Sequence, residues 1–124
     1  MNERGAFVTG AIMTGLAVAL GAFGAHGLKG YTDAAGLATW ETAVKYQTLH
    51  GLALLILALA IQRFTSRSFA TIYLCFLFGV LVFSGSLYVL VLSGIKWLGA
   101  VTPIGGVSMI VGWVITAAGY NRRK

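Results

Sequence analysis

The sequence predicts an all-α integral membrane protein: a bundle of four spanning helices with an amphipathic interfacial segment between spans one and two. Two observations predict this fold class. Of the 124 residues, 58% are hydrophobic and only 10% are charged, whereas soluble domains carry about 25% charged residues, so this composition cannot form a water-facing surface. In addition, four apolar segments each approach the ~20 residues that a helix needs to cross a ~30 Å hydrocarbon core. Helices are the expected form because lipid cannot satisfy backbone hydrogen-bonding groups.

The predicted spans form a single domain, residues 1–124, and lie at about residues 5–25, 43–62, 69–92 and 98–120. The first span carries no charge and is longer than the ~7–15 apolar residues of a signal peptide, so we interpret it as a spanning helix and not as a cleaved leader. The turn between spans three and four is short, which predicts a tight antiparallel hairpin.

The one long connection runs from residue 26 to about residue 42, between spans one and two. Thr32 or Asp33 is a suitable N-cap for a helix that starts within it. Apolar residues then recur at helical spacing, at Leu37, Trp40 and Val44. This pattern predicts an amphipathic segment that lies at the outer interface and continues into span two. Aromatic residues of the headgroup belt are expected there, namely Trp40, Tyr46 and Trp97.

The distribution of basic residues predicts the orientation. Six bases lie on the side of the termini and the second loop: Arg4, Arg63, Arg67, Arg122, Arg123 and Lys124. Three lie on the opposite side: Lys29, Lys45 and Lys96. Because cytoplasmic loops carry the excess of Lys and Arg, both termini are expected in the cytoplasm. The formal charge of +6 does not indicate nucleic-acid binding, because the bases are scattered at segment ends.

Glycine is about twice as frequent as usual, with 17 in the chain. In lipid, small residues allow helix backbones to approach closely. Span one carries two stripes of them: Ala11, Gly15, Ala22 and Ala25, and beside these Thr14, Ala17, Gly21 and Gly24. The predicted packing residues are Gly15, Gly21, Gly24, Gly105, Gly106, Ser108 and Gly112. We expect spans one and four to be buried at helix contacts, and the phenylalanine-rich span three to be partly exposed to lipid.

Residues 86–106 combine hydroxyl groups with helix-breaking residues in an otherwise apolar region. One interpretation is structural: Pro103 suits a helix start, and the hydroxyls bond to carbonyls or across helices where spans three and four join. The other interpretation is a polar pocket, lined by Ser84, Ser86, Tyr88 and Thr102. We prefer the structural interpretation.

The two histidines lie in apolar surroundings, His26 at the end of span one and His50 about two turns inside span two. An ionisable residue within a span is a candidate functional residue, as a metal or haem ligand or a proton relay. The preferred interpretation is a neutral imidazole that ties helices together. Two histidines without nearby Cys, Asp or Glu do not make a zinc site, so no metal or other cofactor is predicted, although a bis-histidine haem is geometrically compatible.

Four sequence blocks resemble domain-of-unknown-function family 423. They are "GAFGAHGL", "WETAVKYQTLHGLALL", "FSGSLYVLVLSG" and "LGAVTPIGGVSMIVGW", in this order along nearly the whole chain. The resemblance implies a small four-span bacterial inner-membrane protein without an established activity. The matched blocks include His26, Trp40, Tyr46, Gln47, His50, Ser84, Gly85, Ser86, Tyr88, Thr102, Pro103, Gly105 and Gly106. No roles for these residues come with the resemblance.

Two functions of different kinds fit these observations. The first is a non-enzymatic bundle that contacts the lipid bilayer and a membrane-protein partner or a second copy, as an accessory or scaffold-like subunit. The second is a binder or carrier of a lipid, quinone, haem or ion at an outer-side polar cluster. Its candidate residues are His26, Tyr46, Gln47, His50, Ser84, Ser86, Tyr88 and Thr102. An enzyme is not expected, since no acid, base and nucleophile form a catalytic arrangement.

Overall fold

The computed structural model describes residues 2–121, which form four long helices joined by short connections. The helices are α1 (Glu3–His26), α2 (Ala34–Leu59), α3 (Ser66–Ser93) and α4 (Thr102–Gly119). Two 3₁₀ helices, Ile61–Arg63 and Lys96–Ala100, precede α3 and α4. All four helices, α4 taken with its 3₁₀ segment, are long and apolar enough to cross a membrane. The prediction of an all-α, four-span fold is confirmed. Arg122, Arg123 and Lys124, which the orientation prediction uses, lie outside the described residues.

Local capping explains where these helices begin and end. The side chains of Asn2, Asp33 and Thr65 accept hydrogen bonds from backbone N–H groups in the first turns of α1, α2 and α3. Pro103 occupies the first turn of α4, where its missing N–H is not needed. After Ser93, the last residue of α3, Gly94 caps the helix with a left-handed φ of 74°, a conformation that glycine adopts without a steric penalty.

The second helix begins earlier than the sequence prediction. It starts at Ala34 instead of residue 43, and the predicted interfacial segment forms its first turns. At 1.5 Å per residue, α2 is about 39 Å long and exceeds the ~30 Å hydrocarbon core. Trp40, which the sequence predicts in the headgroup belt, is buried inside the bundle, where its Nε1 donates to the Leu20 carbonyl of α1 at 2.8 Å. A buried indole with a backbone acceptor needs no interfacial water.

The helices pack in chain order, with α1 on α2, α2 on α3 and α3 on α4. Spans one and four, which the sequence predicts to be buried at helix contacts, are the least buried of the four helices. In their spanning windows 22% of α1 and of α4 is buried, against 44% of α2 and 33% of α3. Phe76 and Val80 of α3 belong to the core. Small residues determine how closely two helices approach, but they do not determine how many neighbours a helix has. Composition does not separate the two environments either, because residues that face lipid are as apolar as residues of the core.

Two pairs of glycines allow the closest helix approaches. A Cβ built on Gly10 of α1 would lie 2.6 Å from the Gly51 carbonyl oxygen of α2. A Cβ on Gly105 of α4 would lie 2.6 Å from the Gly79 carbonyl oxygen of α3. Real Cβ atoms do not come so close to a carbonyl, so neither contact tolerates a side chain. Each antiparallel hairpin, α1–α2 and α3–α4, therefore has its own glycine-to-glycine contact.

The predicted packing residues divide into two groups. Five lie against a neighbouring helix: Gly21, Gly24, Gly105, Ser108 and Gly112. Gly15 does not, since no heavy atom comes within 4 Å of a Cβ built there, and Gly106 makes only ordinary contact with the Phe83 ring. Ala11, Gly15, Ala22 and Ala25 are exposed, while Ala17 and Gly24 are buried. Only one of the two stripes on α1 faces α2, because adjacent stripes point in different directions around the helix.

Candidate functional site

The polar side chains of the bundle form interhelical hydrogen bonds, beginning with Gln47 of α2. Its Nε2 donates to the Met13 carbonyl of α1 at 2.9 Å, and its Oε1 accepts from the Tyr88 hydroxyl of α3 at 2.7 Å. Gln47 is buried. One amide thus links three helices, and both of its polar ends are engaged.

Serine hydroxyls continue these links on either side of α3. Ser84 Oγ donates to the Ala43 carbonyl of α2 at 2.7 Å. Ser86 Oγ lies 2.6 Å from Thr102 Oγ1 of α4, in a hydrogen bond that either hydroxyl can donate. Ser84 and Ser86 therefore tie α3 to the helices on both of its sides. Hydroxyls in such positions stabilise helix contacts in lipid.

His50 is buried, and both of its ring nitrogens have partners. Trp113 Nε1 of α4 lies 3.0 Å from His50 Nε2, and His50 Nδ1 lies 2.7 Å from the Tyr46 carbonyl. An indole N–H can only donate, so Nε2 is the acceptor and the proton is on Nδ1. The hydrogen-bond network therefore assigns a neutral imidazole. Phe76 packs against this ring at 5.1 Å between centroids.

The structure does not bring His26 to this cluster. His26 is exposed at the end of α1, two residues beyond Gly24, which contacts the Trp40 indole. His50 lies ten residues further along α2 than Trp40, or about 15 Å along the helix axis. The two histidines are therefore too far apart to ligate one haem iron, and the compatibility noted from the sequence is wrong. Because α2 starts at Ala34, His50 lies more than four turns from the start of its helix and not about two.

The other candidate residues lie along α2, α3 and the start of α4 without meeting at one point. Gln47, Ser84 and Tyr88 lie at the α2–α3 contact. The Tyr46 ring packs 4.7 Å from the Phe83 ring. Ser86 and Thr102 form a separate pair between α3 and α4. These contacts form a chain of pairwise links and not a converging pocket.

The chemistry available to these residues is limited. Within residues 2–121, every buried side-chain nitrogen and oxygen has a hydrogen-bond partner. In the same residues, no three His, Cys, Asp or Glu side chains come together in a way that could hold a metal ion. A ligand at His50 must therefore displace either the Trp113 indole or the Tyr46 carbonyl.

Comparison with known proteins identifies the family. The family model for a protein of unknown function, DUF423, matches residues 20–106. The chain belongs to the DUF423 family. A UPF0382 membrane protein of Staphylococcus saprophyticus is 46% identical over 112 residues, which cover 90% of this chain and 92% of the relative. The Escherichia coli K12 UPF0382 inner membrane protein YgdD is 41% identical over 124 residues, covering 100% and 95%. No solved structure is significantly similar to this chain.

Family membership confirms the resemblance seen in the four sequence blocks. The DUF423 chain is accordingly an integral membrane protein, and the family description attaches no activity to it. Several residues that tie its helices together were not predicted, notably Trp113 and the hydrogen-bonded pair of Thr9 and Tyr73 at 2.8 Å. Trp113 had a usable signal: an indole N–H deep in a span needs an acceptor, and His50 offers one.

Proposed function

We infer that this DUF423 protein is a non-enzymatic inner-membrane protein that acts through contacts of its outer surface with a membrane-protein partner or a second copy. It is an accessory or scaffold-like subunit. The observation that carries this proposal is the internal pairing of the buried polar side chains in residues 2–121. General acid–base or nucleophilic catalysis needs a group whose proton or lone pair can reach a substrate. At His50 both nitrogens are already hydrogen-bonded within the protein, Nδ1 to the Tyr46 carbonyl and Nε2 to Trp113.

The exposed stripe on α1 supports contact with another helix. Ala11, Gly15, Ala22 and Ala25 are exposed, and the fold does not use them for its own packing. A stripe of small residues lets a second helix approach closely in lipid, where dispersion and weak hydrogen bonds drive association. This stripe is therefore the surface on which we place the partner. Binding of a lipid, quinone, haem or ion near His50 is the second hypothesis, and it needs the Trp113 or Tyr46 hydrogen bond to open.

Replacing Gly15 with leucine tests the partner contact. The variant is expected to fold normally, because a Cβ at Gly15 meets no atom within 4 Å. After gentle extraction from native membranes, however, the amount of membrane protein that co-purifies with it, or of a second copy, should fall. A loss of 1.4 kcal/mol of contact energy corresponds to a fall of about tenfold. Quantitative mass spectrometry of the purified material measures this loss.

Gly85→Leu is the matched control, since Gly85 of α3 also has nothing within 4 Å of a built Cβ. It should retain the co-purifying protein at the wild-type level. If Gly15→Leu retains the same set of proteins as wild type, α1 does not carry the contact and the proposed subunit role loses its support.

We also propose that the protein lies in the inner membrane with both termini in the cytoplasm. Its support is the excess of bases on the side of Arg4, Arg63 and Arg67, and the relative YgdD is an inner membrane protein. A reporter that is active only in the cytoplasm is expected to be active when fused after Lys124. The same reporter inserted after Gly94, in the α3–α4 connection, should be inactive. The reverse pattern overturns the orientation.

A further inference from the structure

A groove of about 210 Å³ lies among α2, α3 and α4, near the connection between α2 and α3. Its lining includes Ala53, Ile56, Phe76, Trp113, Thr116 and Tyr120. The polar atoms of Trp113 and Thr116 are engaged, by His50 Nε2 at 3.0 Å and the Gly112 carbonyl at 2.7 Å. The groove wall is therefore apolar along α2 and α4. Its lining runs from Trp113 of α4 to Tyr120, the residue that follows this helix, which corresponds to about 10 Å of length.

The groove continues into a polar pocket at the α2–α3 connection. This second pocket, of about 380 Å³, shares Ala60 and Tyr120 with the groove and also includes Glu3, Gln62 and Arg63. The Arg63 guanidinium carbon lies 5.9 Å from the centre of the Tyr120 ring. A base, an acid and an amide thus line the pocket in which the apolar groove ends.

We propose that the groove and the polar pocket together bind one aminophospholipid of the phosphatidylethanolamine type. One acyl chain lies along the groove, the lipid phosphate lies at Arg63, and the lipid ammonium lies at Glu3. This site is separate from the α1 stripe, so the proposal goes beyond the accessory function and does not depend on it.

The charges of the pocket select the headgroup. Arginine binds phosphate through paired, charge-assisted hydrogen bonds, and a carboxylate accepts hydrogen bonds from an ammonium group. Glu3 also repels the extra negative charge of a lipid whose headgroup has no ammonium. The acyl chain alone gives no such preference, because the surrounding bilayer is as apolar as the groove. Selectivity must therefore come from Arg63 and Glu3.

The purified protein can be tested in nanodiscs that contain equal amounts of phosphatidylethanolamine and phosphatidylglycerol with identical acyl chains. Native mass spectrometry after mild detergent release should show one retained lipid, with phosphatidylethanolamine favoured over phosphatidylglycerol by about tenfold. Equal retention of the two lipids, or a preference for phosphatidylglycerol, overturns the proposal. No partner protein is present, so the result is independent of the Gly15→Leu experiment.

Headgroup variants test the assigned charges. Arg63→Gln should reduce the retained lipid by about tenfold. The control Arg67→Gln removes an equal charge from an exposed position in the first turn of α3 that lines neither pocket, and it should retain lipid like wild type. Glu3→Gln should abolish the preference for phosphatidylethanolamine while lipid is still bound. Equal losses in the two arginine variants would identify a general charge effect and overturn the assignment.

A second pair of variants tests the groove. Ile56→Trp places a large ring at the groove wall and should lower lipid retention, whereas Ile110→Trp changes a residue of α4 that does not line the groove. Both isoleucines are largely exposed, at 67% and 63%, so both variants are expected to fold. Circular dichroism and gel filtration check that they do. Unchanged retention in Ile56→Trp places the lipid elsewhere and overturns the proposal.

Discussion

Gly105→Ala is expected to destabilise the protein by about 3 kcal/mol, the upper part of the range for overpacked sites. The new Cβ would lie 2.6 Å from the Gly79 carbonyl oxygen and 2.9 Å from the Phe83 Cβ of α3. These are backbone and near-backbone atoms, which cannot rotate out of the way as a flexible side chain does. The α3–α4 hairpin must therefore separate, and it loses the dispersion contacts that hold helices together in lipid.

The neighbouring substitution Gly106→Ala is the matched control. Its Cβ would lie 3.7 Å from the Phe83 ring, an ordinary van der Waals distance. Because alanine favours a helix over glycine by about 1 kcal/mol, this variant should be neutral or slightly more stable. Reversible unfolding in mixed micelles, followed by circular dichroism, measures both. Equal midpoints for the two variants would show that the Gly79–Gly105 contact does not limit the packing.

Gln47→Met is expected to destabilise the bundle by about 1.5 kcal/mol, near the top of the range measured for hydrogen bonds between membrane helices. Methionine keeps the length of the side chain but cannot donate to the Met13 carbonyl, and it offers Tyr88 only a weak acceptor. The Tyr88 hydroxyl is then left without a strong partner among α1, α2 and α3, and an unsatisfied buried donor carries a desolvation penalty.

A double-mutant cycle with Tyr88→Phe checks this prediction by the same unfolding assay. Removing both partners should destabilise the protein by less than the sum of the two single changes, with a coupling of about 1 kcal/mol. Thr48→Ala is the control on α2, since its hydroxyl donates to the Val44 carbonyl of its own helix. Strictly additive effects would mean that the Gln47–Tyr88 hydrogen bond contributes nothing to stability.

The fold was predictable from the sequence because span length and composition are properties of each segment by itself. The beginning of α2 was not, because helical spacing in residues 34–42 is the same for a separate interfacial helix and for a continuous one. The neighbours of each helix were also not predictable. Gly15 and Gly24 are the same residue type on the same helix, yet only Gly24 faces another helix.

The sequence predicted which polar residues belong to the site, but it did not predict their hydrogen-bond partners. Gln47, Ser84 and His50 were all candidates, but each binds a backbone carbonyl, of Met13, Ala43 and Tyr46 respectively. Every residue has a backbone carbonyl, so the sequence cannot indicate which carbonyl accepts the hydrogen bond. For the same reason the sequence allows a polar pocket as the alternative interpretation, whereas the structure has a series of separate links.

The chain-order packing of the helices has a consequence for biosynthesis. The most extensive contacts are within the first hairpin, α1–α2, and within the second, α3–α4, and the α2–α3 contact between them is smaller. A ribosome-bound chain that has released only its first half already contains both members of the Gly10–Gly51 contact. The first hairpin can therefore close in the bilayer while the second is still being translated, and membrane insertion can proceed in two steps of two helices each.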